Sequence, residues 1–70
     1  MEVDVAKLRE LRKRRVLTLR ELEEVSGVSY NTIWRLENGF TQARPSTIRK
    51  LASALGVEAE ELVGWEGADA

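Results

Sequence analysis

The sequence predicts an all-α domain of five short helices. Three observations carry that expectation: apolar residues recur at three- and four-residue spacing in successive stretches, three of the stretches are bracketed by helix start and stop residues, and none shows the strict alternation of a strand. Val5, Leu8 and Leu11, continued by Arg12 and Arg15, form a helical stripe with a cationic far end, so helix 1 is expected over about residues 4–15. Thr18 followed by Glu21 is a capping-box pattern that satisfies two backbone donors at a helix start, and helix 2 is expected over about 19–26. Gly27 supplies a residue able to take positive φ after that helix, and Ser29 restarts the chain as an N-cap.

Helix 3 is expected from Tyr30 to Glu37 or Asn38, stopped by Asn38-Gly39. At about 100° per residue, Ile33 and Leu36 point one way while Asn31, Trp34, Arg35 and Asn38 point roughly opposite. Residues 40–44 read as a loop, and Pro45 fits the first position of helix 4, where its missing N–H is harmless. Ile48, Leu51, Ala52 and Leu55 then repeat with helical spacing up to Gly56, and a last short helix over about 59–63 buries Leu62 and, on one reading, Val63. Residues 64–70 are expected to be a C-terminal tail of the single domain 1–70.

Composition narrows the chemistry. Seventy residues, against roughly 100–200 for a typical domain, allow one small core. With no cysteine and no histidine, a disulfide framework, a zinc finger and a thiol or imidazole catalyst are excluded; no cofactor or metal is expected. No paired nucleophile and base is present, which disfavours an enzyme. There is no apolar run of membrane-spanning length, and the start Met1-Glu2-Val3-Asp4 is the opposite of a basic signal-peptide head, so a cytoplasmic protein without membrane contact is expected. The net charge of −1 conceals a gradient: residues 1–56 carry +4 and residues 57–70 carry −5. That pattern permits a basic face with an acidic end but is equally compatible with an ordinary solvated surface.

Two helices of about eight residues around a tight turn, the second with a polar outer face, match a helix-turn-helix arrangement over about 18–38. The runs Leu17-Thr18-Leu19-Arg20-Glu21-Leu22, Gly27-Val28-Ser29-Tyr30-Asn31-Thr32-Ile33 and Leu36-Glu37-Asn38-Gly39 resemble the Cro and phage-repressor-like helix-turn-helix family, also called the xenobiotic response element family. The segments 8–12 and 47–57 resemble that family's first and fourth helices, so the likeness covers about residues 5–63. It implies a lambda-repressor-like domain that binds double-stranded DNA, with helix 3 in the major groove and helix 2 across it.

Carried over by position, the resemblance implies base contacts by Tyr30, Asn31 and Arg35, with Ser29, Thr32 and Trp34 at the groove edge. The residue types suit that role, since an Asn amide pairs bidentately with adenine and an Arg fork with guanine. Trp34 admits other readings: a ring folded on a neighbour, or the rim of a protein contact. Thr18, Arg20, Asn38, Thr41, Gln42 and Arg44 are expected near phosphate, and Arg12 with Glu37 is implied to form a partly buried ion pair. Lys13-Arg14-Arg15 is either part of a basic face or a solvated helix end.

Three features depart from the family pattern. Leu19 stands where a glutamine is usual and is expected to pack on the Tyr30 ring, leaving Arg20 for phosphate. Glu23 replaces a small residue and must either swing outward or find a partner. The pI of about 5.4 is low for a DNA binder, so tight binding requires dimerisation. The functional expectation is a sequence-specific transcriptional regulator, a repressor, binding an inverted repeat as a homodimer through Val63 and Trp65. These seventy residues are expected to hold no effector domain, and control is expected to come from concentration, dimerisation or a second protein. One rival is an antitoxin-like module whose Trp65 tail grips a toxin or other protein partner while the helix-turn-helix autoregulates. The other is a helical interaction domain that has lost DNA binding.

Overall fold

The computed structural model describes residues 1–64. In order, the chain forms α1 (Val5–Arg14), α2 (Leu19–Ser26), α3 (Tyr30–Glu37), α4 (Pro45–Leu55) and a 3-10 turn (Ala59–Leu62). The Asp4 carboxylate caps α1 by accepting from the Lys7 backbone N–H at 3.1 Å. The Thr18–Glu21 capping box opens α2: Thr18 Oγ1 accepts from Glu21 N at 3.1 Å, and the Thr18 backbone N–H donates to Glu21 Oε1 at 2.9 Å. Gly27 (φ 77°) ends α2 and Gly56 (φ 72°) ends α4, both in the left-handed region. The fifth helix expected over 59–63 is a single 3-10 turn, closed by three-residue bonds such as Glu61 N to the Glu58 carbonyl at 3.0 Å.

Helix 1 ends sooner than its charged run suggests. Arg15 is the C-cap and Val16 takes φ 54°, which reverses the chain so that Leu17 N donates back to the Arg12 carbonyl at 3.2 Å. A β-branched residue in the left-handed region is strained, and Val16 is 85% exposed, so no packing of its side chain offsets the cost. The Arg15 guanidinium lies against Gly56 at the C-terminus of α4, where a cation complements the helix dipole.

Leu8, Leu22, Ile33, Leu36, Ile48, Leu51, Leu55 and Leu62 are fully buried and bring all five elements to one core. Val3 joins them, although it lies before the first helix. Its segment is extended and forms two isolated antiparallel bridges, Glu2 with Gln42 and Val3 with Val63. Val3 N donates to the Thr41 carbonyl at 2.7 Å, Ala43 N to the Met1 carbonyl at 2.9 Å and Gly64 N to the Glu2 carbonyl at 3.0 Å. The acidic start is thus a strap that joins the loop after α3 to the end of the 3-10 turn.

This strap corrects the expected dimer contact. Val63, assigned to a second copy, is buried in its own domain and faces Val3 across a bridge, so it offers no free apolar surface. Trp65, the other half of that assignment, lies outside the described residues. No helix among the described residues is long and apolar enough to cross a membrane.

Candidate nucleic-acid interface

The inner side of α3 is fixed by charge as well as by apolar packing. Glu37 is buried, and Arg12 meets its carboxylate as a fork: Nε donates to Oε2 at 2.6 Å and Nη2 to Oε1 at 2.9 Å. The third Arg12 donor, Nη1, reaches the Leu17 carbonyl at 2.7 Å, binding the turn before α2 into the same cluster. Arg9 contributes a second cation, with Nη2 donating to the Glu37 backbone carbonyl at 2.7 Å and Nε lying 3.4 Å from Oε1. Hydrogen bonding to Glu37 raises the Arg12 pKa above the ordinary arginine value, against the opposing effect of desolvation. Two arginines therefore hold the C-terminal end of α3, where positive charge also complements the helix dipole. Arg9 was not among the sequence candidates; its position three residues before Arg12, on the same face of α1, is the signal that points to it.

The opposite side of α3 is open. Asn31, Trp34, Arg35 and Asn38 are all exposed, and they share one face because their spacing is three, four and seven residues. The Asn31 amide and the Arg35 guanidinium have no side-chain partner among the described residues. Trp34 is 45% exposed, so its ring lies outside the core. Asn38 behaves differently from the other three: its Nδ2 donates to the Trp34 carbonyl at 2.8 Å and caps its own helix.

At the start of α3, Ser29 and Thr32 are engaged with each other. Ser29 Oγ accepts from Thr32 N at 3.2 Å and donates to Thr32 Oγ1 at 2.9 Å, which is N-capping rather than display. Tyr30 is half-buried, and its backbone N–H donates to Glu23 Oε2 at 3.0 Å. Glu23 has thus found its partner across the turn, and its negative charge sits at the positive end of α3. Leu19 packs against the core cluster, and the group over the Tyr30 ring is the Arg20 guanidinium, 4.9 Å from the centroid. The Arg20 stacking on Tyr30 is an addition to the sequence expectation, which gave that ring to Leu19 alone. Leu19 lies on the inner face of α2, and Arg20, one step of about 100° further round, lies on the side toward Tyr30.

The α2–turn–α3 arrangement, with a glycine corner and an outward polar face on the second helix, is the geometry of a helix-turn-helix unit. A family profile described as a helix-turn-helix domain matches residues 5–64. The chain belongs to the helix-turn-helix domain family. It is 46% identical over 61 residues to the uncharacterized HTH-type transcriptional regulator RghRB of Bacillus subtilis, a match covering 86% of this chain and 44% of that protein. It is 45% identical over 64 residues to the HTH-type transcriptional repressor RghR of the same organism, covering 90% of this chain and 47% of the relative. The chain therefore spans about half the length of the curated relatives it matches. Among solved structures it resembles the restriction-modification controller protein C.AhdI from Aeromonas hydrophila, with a TM-score of 0.76, 33% identity, and coverage of 81% of this chain and 86% of that one.

Beyond the helix-turn-helix unit, the loop before α4 extends the open face. Thr32, Arg35, Phe40, Gln42, Arg44 and Thr47 line one groove beside α3. Gln42 and Arg44 are exposed, whereas Thr41 is half-buried and its hydroxyl lies 3.4 Å from the Glu2 carboxylate. A carboxylate beside Thr41 weakens it as a phosphate ligand relative to Arg44. Phe40, 63% exposed in this groove, is a residue the sequence reading passed over; an aromatic in an otherwise polar loop is the available signal. Thr18 and Arg20 lie at the start of α2, where Thr18 keeps its hydroxyl proton free to donate while its oxygen caps the helix. In the basic run Lys13-Arg14-Arg15, Arg14 pairs with Glu10 at 2.7 Å on the exposed surface of α1, and the Arg15 guanidinium rests on Gly56.

Proposed function

We propose that the chain is a sequence-specific DNA-binding transcriptional regulator of the Cro and phage-repressor-like branch, a repressor that binds an inverted repeat as a dimer in the cytoplasm. The observation that carries the reading is the contrast across α3. Its inner face is anchored by Ile33, Leu36 and the Arg9–Arg12–Glu37 cluster, and its outer face presents Asn31 and Arg35 with their hydrogen-bonding groups uncommitted. A helix held this way can enter a major groove, with Asn31 suited to adenine, Arg35 to guanine, and Tyr30 at the leading end. Trp34, beside them, suits a thymine methyl or the sugar-phosphate wall. Thr18, Gln42 and Arg44 flank α3 and would hold the backbone, fixing register without reading sequence.

The names of the relatives support regulation of transcription, and RghR supports repression in particular. Dimerisation is supported by arithmetic: a single short recognition helix makes few contacts, whereas two placed about 34–36 Å apart read one DNA face together. Selection from a random DNA pool with the full chain tests the reading. A palindromic motif, bound with steep salt dependence, is the expected result. Recovery of no motif, with weak binding equal on all sequences, would overturn it.

A further inference from the structure

Arg20 and Glu23 are three residues apart on α2, so their side chains leave the same face and both reach the first residue of α3. Each controls a different part of Tyr30. Glu23 accepts the backbone N–H at 3.0 Å, and the Arg20 guanidinium carbon stands 4.9 Å above the ring centroid. The ring is half-buried, its backbone is tied and one face is covered by a planar cation, which leaves few orientations for a side chain with two torsions. Arg20 itself is exposed and has no carboxylate within ion-pair distance among the described residues, so the ring is what orients it. Glu23 also places negative charge where a helix N-terminus would otherwise attract a phosphate, so Tyr30 meets DNA through its ring and hydroxyl rather than its backbone.

We propose that Arg20 is a positioning residue for base recognition: it presets the Tyr30 ring, and the pair together selects one base pair in each half-site. This rests on the DNA-reading assignment of α3 above. A ring ordered before binding does not have to be ordered during it, so its contact favours the matching base more strongly. A phosphate ligand, by contrast, would contribute equally to every sequence.

The test measures binding of the full chain to a selected site and to all its single-base variants, for wild type, Arg20→Ala, Arg20→Lys, Tyr30→Ala and the Arg20→Ala/Tyr30→Ala double variant. Arg20→Ala and Tyr30→Ala should flatten preference at the same base pair, from roughly tenfold to about twofold, leaving the other positions unchanged. The double variant should be no flatter than Tyr30→Ala. Arg20→Lys keeps the charge and the salt dependence but should recover only part of the preference, because an ammonium is a compact, strongly hydrated charge that stacks poorly. In the free protein, Arg20 side-chain protons should be shifted upfield by the ring, and Tyr30→Leu should abolish the shift. Uniform weakening on every variant site by Arg20→Ala, full restoration of the profile by lysine, or absence of the ring shift would each overturn the proposal while leaving DNA reading intact. If the wild-type chain shows no base preference, the assignment of α3 fails and this inference with it.

Discussion

The two sides of α3 carry similar chemistry and put it to opposite uses. Toward α1, Arg9 and Arg12 converge on Glu37, and each of the three Arg12 guanidinium nitrogens donates to an acceptor. Toward solvent, Arg35 and Asn31 have equally capable groups and no side-chain partner among the described residues. The same residue type is therefore structural on one face and available on the other. What separates the two is whether an acceptor is buried opposite, and an arginine's identity alone does not reveal that.

The largest expected effect comes from breaking the inner side. Glu37→Ala leaves two guanidiniums without their shared carboxylate, one of them only 15% exposed, and should destabilise the domain by about 3 kcal/mol in urea unfolding. A double-mutant cycle with Arg12→Ala should give a clear coupling energy; purely additive losses would show that the pair contributes nothing as a pair. Because the Arg12 pKa is raised in the fold, its contribution is present throughout the working pH range and is lost only as the pH rises through that elevated value. Alkaline titration short of that range should leave the coupling unchanged.

On the outer side the pattern should invert. Asn31→Ala and Arg35→Ala should each weaken binding to a cognate site by ~1–3 kcal/mol, with unfolding free energy altered by less than about 0.5 kcal/mol. A matching loss of stability in either variant would erase the distinction between the faces. Smaller still is the effect expected at Val16, which belongs to neither side. Its left-handed backbone costs about 1–2 kcal/mol and its exposed side chain gives little back, while glycine adds unfolded-chain entropy, so Val16→Gly should stabilise by about 0.5–1 kcal/mol without changing DNA affinity. Reduced thermal stability in that variant would show that Val16 packs in solution.

Much of the frame was legible because its signals are local. Thr18 with Glu21, Gly27, Pro45 and Gly56 mark the ends of α2 and α4 through backbone hydrogen bonding and φ preference, which depend only on near neighbours. The outward grouping of Asn31, Trp34 and Arg35 followed from helical period alone. What was not legible joins distant segments. Val3 and Val63 meet in a single bridge with no periodicity to announce it, so the sequence left Val63 open between core and dimer contact. Glu23 looked like a misfit inside α2 because its acceptor role depends on where the turn brings Tyr30. The stacking of Arg20 on Tyr30 was hidden for a similar reason, since it depends on how the turn sets α3 against α2.

The most direct test of the account is a residue-resolved NMR titration of the full chain with a selected DNA duplex. The account predicts that the largest shift changes fall on Thr18, Arg20, Tyr30, Asn31, Trp34, Arg35, Gln42 and Arg44, with Glu10 and the Arg12–Glu37 cluster nearly unmoved. Changes concentrated on the outer faces of α1 or α4, with the Asn31 and Arg35 side chains silent, would contradict it.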